Sequence, residues 1–194
     1  MHVEMVDELR ARQWETLSRV LHDAWSCSPF HRERLIHAGC SDVAQITSLE
    51  EFIKAVPYLE KKDLVEEQTL YPPYGRIGTG TEKFFARFSQ TSGTSGAPLM
   101  IWDTDLSWNW MLENWVEGLR MAGLKAGSKA YFAFSFGPFL GFWTAYDAAL
   151  RMGLRCLPGG GLSSRARLAA MLKHKVEVLF CTPTYALHLS LIHI

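Results

Sequence analysis

Apolar and polar positions follow two different rhythms along this chain. Up to about Pro57, Leu9, Leu17, Val20, Leu21 and Trp25 recur at helical spacing, while Arg10, Arg12, Glu15 and Arg19 fall on other faces. That is the pattern of an amphipathic helix. Ser28-Pro29 interrupts it, and Phe30 to Ala38 restarts a helix that Gly39 closes. Ser48 and Glu51 have the spacing of a capping box, so a short helix is expected through Val56, ended by Pro57. Another start comes at Lys61-Lys62-Asp63, ahead of a Pro- and Gly-rich loop from Tyr71 to Gly80.

From Phe84 the period shortens. Phe84 to Ser89 reads as a strand, then comes a Ser/Thr/Gly loop, then Leu99 to Trp102 as a second strand. Asp103 to Asp105 offers caps for a helix over Leu106 to Met121. Ala130–Phe134, Arg155–Leu157 and Val176–Cys181 read as strands, with helices over Leu140–Met152 and Arg165–His174 and a turn at Gly159-Gly160-Gly161. Strands alternating with helices of this length indicate βαβ units on a mostly parallel sheet, so the fold class is α/β behind a helical front section.

Composition narrows the function. Hydrophobic residues make up 48% and charged residues 21%, within the range of a globular protein. Twenty basic residues balance twenty acidic ones without a Lys/Arg block, which argues against a nucleic-acid partner. No apolar stretch reaches the roughly 20 residues of a membrane span. The first twelve residues lack the apolar core of a signal peptide, so a cytoplasmic location without membrane attachment is expected. Cys27, Cys40, Cys156 and Cys181 lie far apart and form no Cys-x-x-Cys pair, so they read as reduced, mostly buried thiols with no metal role. His22, His31 and His37 lack a partner cluster and read as surface or helix-packing residues. Trp102, Trp108, Trp110 and Trp115, without basic interleaving, are expected to pack a helix against the sheet.

The segment with the clearest chemistry is Ser89-Gln90-Thr91-Ser92-Gly93-Thr94-Ser95-Gly96-Ala97-Pro98. Glycine lets the backbone turn its N–H groups towards an anion, and Ser/Thr hydroxyls add donors at the same place. That suits nucleotide phosphates, although composition alone would also fit a flexible connector or a polar hairpin turn. It is not a Walker A loop, because no Gly-Lys-Ser/Thr follows.

The order T-S-G-T-S-G-x-P after an aromatic strand resembles the phosphate-binding loop of adenylate-forming enzymes, T/S-S/T-G-T-T-G-K-P. Further segments resemble the phenylacetate–coenzyme A ligase branch. Ser28-Pro29-Phe30-His31-Arg32-Glu33-Arg34-Leu35 is similar to its P-F-Y-R-E-R-L. Ser48–Phe52 with Val56-Pro57 and Lys61–Leu64 is similar to S-L-E-D-L … L-P … T-K-E-D-L. Phe136–Gly141 is similar to Y-G-L-F-T-G, and Cys181–Leu187 to V-T-P-S-Y-A-L. These pieces keep the family's order from about Ala24 to Leu189.

The resemblance implies a ligase that turns ATP and a carboxylic acid into an acyl-adenylate and pyrophosphate, after which coenzyme A displaces AMP. It implies ATP, Mg²⁺ and coenzyme A as ligands, and a small aromatic, phenylacetate-like acid as substrate. Thr91, Ser92, Gly93, Thr94, Ser95 and Gly96 would hold the β- and γ-phosphates. Phe136, Phe139 and Gly141 would line the acyl pocket, where filling an ordinary core is the competing role for each. The family's lysine is Ala97 here, which removes a point charge near the phosphates.

On this reading residues 1–80 form the helical section of the large domain and 81–189 an incomplete ATP- and acyl-binding α/β part. Residues 190–194 are taken as a non-native tail. The family's Mg²⁺ and adenine acids, ribose aspartate, hinge and C-terminal lysine would lie downstream, so the 194-residue chain is expected to be inactive alone. The full-length enzyme could pair as a homodimer. Two other functions stay open: an adenylation domain that loads a carrier protein, and a non-catalytic truncated binding module.

Overall fold

The computed structural model describes residues 2–80, 82–93 and 96–193. The chain divides into two compact units, Met1–Phe85 with Gly93–Trp102, and Ala86–Ser92 with Asp103–Ile194.

The first unit is helical, as the apolar spacing predicts. Helix α1 spans His2–Cys27, α2 Pro29–His37, α3 Leu49–Ala55 and α4 Lys61–Leu70. Ser28 separates α1 from α2 because Pro29 has no N–H to continue the ladder. Its hydroxyl accepts from His31 N at 3.3 Å and donates to Arg76 O at 2.9 Å, and the residue is wholly buried. The first-unit core is small: Leu21, Leu35, Cys40, Val43 and Ile46, flanked by Trp14, Trp25 and Phe52. Ser48 caps α3 through Glu51 N. The reciprocal bond of the expected capping box is displaced by one residue, since the Glu51 carboxylate accepts from Thr47 N at 2.7 Å and from Thr47 Oγ1 at 2.9 Å.

Polar clamps complete this unit. Arg76 forks onto Glu33 with two bonds of 2.9 Å and reaches Glu67 at 2.8 Å, while its guanidinium lies 3.8 Å from the Tyr71 ring centroid. One side chain thereby joins α2, α4 and the Pro/Gly-rich segment.

Strands β1 (Phe85–Gln90) and β2 (Met100–Thr104) carry the chain between the units. The second unit is then α5 (Asp105–Met121), β3 (Lys129–Phe132), α6 (Leu140–Arg151), β4 (Arg155–Pro158), α7 (Ser164–His174), β5 (Val178–Phe180) and α8 (Pro183–His193). Strands β4, β3 and β5 form a parallel sheet in that order, with Phe132 opposite Pro158 on one side and Phe180 on the other. The α/β expectation therefore holds here. Strand β3 is buried on both faces, as the centre of a parallel sheet must be. Helices α5 and α6 pack together through Trp108, Leu112, Val116, Leu119, Ala145, Ala148 and Ala149. The alanines let the helix axes approach closely.

Three details differ from the sequence reading. Trp108 is buried as expected, but Trp110 is 59% exposed and lies on the outer face of α5. The four cysteines are free, and Cys27 is exposed. Helix α8 falls where the apolar spacing predicts no element, and it runs to His193 with Leu189 buried on it.

Candidate nucleotide and acyl site

The hydroxyl-rich loop begins where β1 ends. Gln90 N donates to Pro138 O at 2.7 Å, which ties the loop's entrance to the aromatic segment 134–143 within the second unit. Thr91 and Ser92 follow. The far limb belongs to the first unit: Gly93 takes φ +69° and Gly96 φ +144°, and Gly96 N donates to Gly93 O at 3.0 Å. A Cβ on Gly93 would stand 2.9 Å from Gly96 O and 3.2 Å from Pro98 N. No other residue fits that tight turn. Thr94 and Ser95 lie outside the described residues. Ala97 is exposed.

Beyond the loop, α4 fixes the chain. Gln68 presents its side-chain amide to Met100 as a neighbouring strand would, accepting from Met100 N at 3.1 Å and donating to Met100 O. A largely apolar cavity of about 590 Å³ lies beside this limb, walled by Gln68, Tyr74, Phe85, Leu99, Met100 and Trp102. No local pattern signals it, because its walls come from separate stretches of the chain.

The aromatic candidates divide. Phe136 is half-buried in a ring cluster, edge-on to Phe134 and Tyr146 (centroids 5.2 Å each) and tilted on Trp143 at 4.8 Å. Phe139 and Gly141 are exposed at the start of α6, Phe139 edge-on to Phe142 at 5.9 Å. A Cβ on Gly141 would meet nothing within 4 Å. Trp143 Nε1 donates to Gly137 O at 2.9 Å and holds the turn between β3 and α6 closed. Burial pushes the Tyr146 phenol up, keeping it protonated beside Phe136.

A charged group beside β1 escaped the sequence reading. Asp147 on α6 accepts from Trp108 Nε1 at 3.0 Å and pairs with Arg87 at 3.3 Å, while Arg87 lies 5.1 Å from the Trp108 ring. Only the fold brings these three residues together, so spacing could not reveal them. His31 lies edge-on to Phe30 at 5.1 Å, and burial, then Arg34, holds its pKa below the usual histidine value. Among the described residues, no group of three His, Cys, Asp or Glu is placed to hold a metal. None of the described helices is long and apolar enough to cross a membrane.

No protein-family model matches the chain. It is 28% identical over 190 residues to the phenylacetate–coenzyme A ligase of Pseudomonas putida, covering 98% of this chain and 42% of that protein. It is 27% identical over 190 residues to the phenylacetate–coenzyme A ligase of Escherichia coli (strain K12), covering 95% of this chain and 40% of that one. Among solved structures, 2-hydroxyisobutyryl-CoA ligase in an open conformation with 2-HIB-AMP and CoA matches with a TM-score of 0.87 at 26% identity. That match covers 95% of this chain and 40% of the ligase. The same ligase in its thioesterification state matches at 0.88 and 27% identity, covering 94% of this chain and 39% of the ligase. The chain thus spans about two fifths of the length of the relatives it matches.

Proposed function

We propose that this chain supplies the ATP-phosphate loop and part of the acyl-binding wall of an AMP-forming acid–coenzyme A ligase that activates an aromatic acid. In the first half-reaction the acid's carboxylate attacks the α-phosphorus of ATP and pyrophosphate leaves. In the second, coenzyme A displaces AMP. The observation that carries the reading is the turn at Gly93, with a left-handed φ and no room for a Cβ, inside a hydroxyl-rich loop. Such a turn exposes backbone donors where a leaving pyrophosphate gathers charge.

Thr91, Ser92, Gly93 and Gly96 are assigned to the phosphates, with Thr94 and Ser95 between them. Phe136 is assigned to the aryl ring, with Phe139 and Gly141 at the mouth. Coenzyme A is favoured as acceptor because the solved neighbours are CoA ligases that carry CoA and an acyl-adenylate. The described residues offer no cluster of His, Cys, Asp or Glu for Mg²⁺.

The test is a chimera in which this chain replaces the matching segment of the Escherichia coli phenylacetate–coenzyme A ligase. It should catalyse phenylacetate-dependent ATP–pyrophosphate exchange, while the isolated chain gives none. Ala97→Lys in the chimera should lower KM for ATP by roughly tenfold, as one charge-assisted contact would. A folded chimera that binds ATP yet exchanges pyrophosphate with no aryl acid would overturn the proposal.

A further inference from the structure

The second unit sets a buried hydroxyl, without a partner among the described residues, beside a cation that spends only part of its head, and both meet the same glycine. Arg167 on α7 is only 8% exposed. Its Nε donates to Gly159 O and its Nη1 to Ala133 O, both at 2.9 Å, and the guanidinium lies 5.1 Å from the Tyr185 ring. Among the described residues Nη2 has neither a hydrogen bond nor a carboxylate within ion-pair distance, and it is not one of the fully enclosed atoms, so it keeps a face open to solvent. A buried guanidinium is ordinarily matched by a negative charge.

Tyr131, at 2% exposure, contributes the second donor. Its hydroxyl is the one buried side-chain polar atom without a hydrogen-bond partner among the described residues. Burial pushes the phenol up, so it stays a protonated donor at neutral pH, and Arg167 is near enough to work against that shift. Gly159 brings the two together. Its carbonyl anchors Arg167, and a Cβ on it would stand 2.7 Å from the Tyr131 oxygen. The place matters too. Ala133 and Gly159 directly follow β3 and β4, at the carboxyl ends of adjacent parallel strands, which is where open α/β sheets receive ligands.

We infer that Tyr131 Oη, enclosed at the base, and Arg167 Nη2, at the solvent side, are the donors of an oxyanion site that takes the carboxylate or phosphate group of a small ligand. A water could satisfy the hydroxyl but brings no charge to the guanidinium, whereas an oxyanion answers both. The site lies outside the residues assigned to ATP and the acyl group, and does not depend on the ligase reading.

The test uses the full chain with ¹⁵N-labelled arginine, titrated with inorganic phosphate in one arm and phenylacetate in the other, against chloride at matched ionic strength. At least one oxyanion should shift the Arg167 side-chain resonances saturably, and the arm that does so identifies the group recognised. Tyr131→Phe keeps the ring that fills the core. It should weaken binding about tenfold while raising the melting temperature of the unliganded chain, because an unsatisfied buried hydroxyl has gone. Arg167→Lys, which keeps the charge and loses the fork, should also weaken binding. Unshifted Arg167 resonances with both oxyanions overturn the site. So does a Tyr131→Phe chain that melts lower than the parent, which would mark the hydroxyl as already satisfied by a structural water.

Discussion

The two units solve the same problem with different materials. In the first, five small and medium apolar residues make the core, and much of the cohesion comes from side chains acting as connectors: Arg76 between Glu33 and Glu67, Gln68 on Met100, Ser28 on Arg76. In the second, a parallel sheet with a doubly buried centre strand packs on alanine-rich α6 and on stacked rings. Apolar burial is non-directional and tolerates slow drift of sequence, whereas polar clamps depend on every partner. The first unit should therefore be the more sensitive to charge and the second to volume.

The largest expected effect probes volume. Phe132 is fully buried, stacked on Phe180 at 4.4 Å and edge-on to Tyr146 at 4.9 Å. Phe132→Ala removes a ring held among other rings and should cost about 3–5 kcal/mol. Hydrogen exchange followed peptide by peptide should show β3, β4 and β5 losing protection. If the α1–α4 peptides lose it first, the division of labour drawn above is wrong.

A smaller effect is expected from the first unit's main connector. Glu67 is buried and meets the guanidinium and backbone N–H of Arg76. Glu67→Ala strands those donors, though Arg76 keeps its fork on Glu33 and part of its head in water. A loss of about 2 kcal/mol follows, below the range for a fully enclosed pair. Denaturant melts of the single variant and of Glu67→Ala combined with Glu33→Ala would show whether the two carboxylates act as one unit, as a shared partner requires.

The apolar spacing made α2, α3, α4, α5, α6 and α7 legible to within a residue or two, because caps and breakers (Ser28-Pro29, Ser48, Thr104, Gly39, Gly153) sit where helix ends need them. The turn at Gly93 was legible for a related reason, since a glycine forced by sterics leaves a mark in the sequence. What stayed hidden depends on long-range convergence. Asp147 reads Trp108 and Arg87 from 39 and 60 positions away, and Arg167 closes on Ala133 across 34. Arg167 and Tyr131 carry no local pattern. Only burial, paired with a count of satisfied hydrogen bonds, singles them out.

The last and smallest expected effect separates the units by pH. In the first unit, hydrogen bonds from Arg76 and from Thr47 hold the Glu33 and Glu51 carboxyls below the ordinary value, and burial holds His31 below its own. For each, the unfolded chain takes up protons more readily than the folded one, so stability is lost as pH falls, first below about 6.5 for His31 and then below about 4.5 for the glutamates. The second unit runs the other way. Burial raises Asp103, so acid relieves rather than strains it, and the Cys156 thiol is pushed up to about 11 while the Tyr131 and Tyr146 phenols also rise. There the folded chain holds protons that the unfolded chain releases, and stability falls as pH climbs from about 9 towards 11. Exchange at matched intrinsic rates should thus find α2 and α3 opening first in acid, and β3 and β4 opening first in alkali. Cys156→Ala should blunt the alkaline limb alone, because it removes a titrating group from β4 and touches nothing in the helical unit. An alkaline limb unchanged in that variant would place the sensitivity on the two phenols and the Cys181 thiol, which burial also raises.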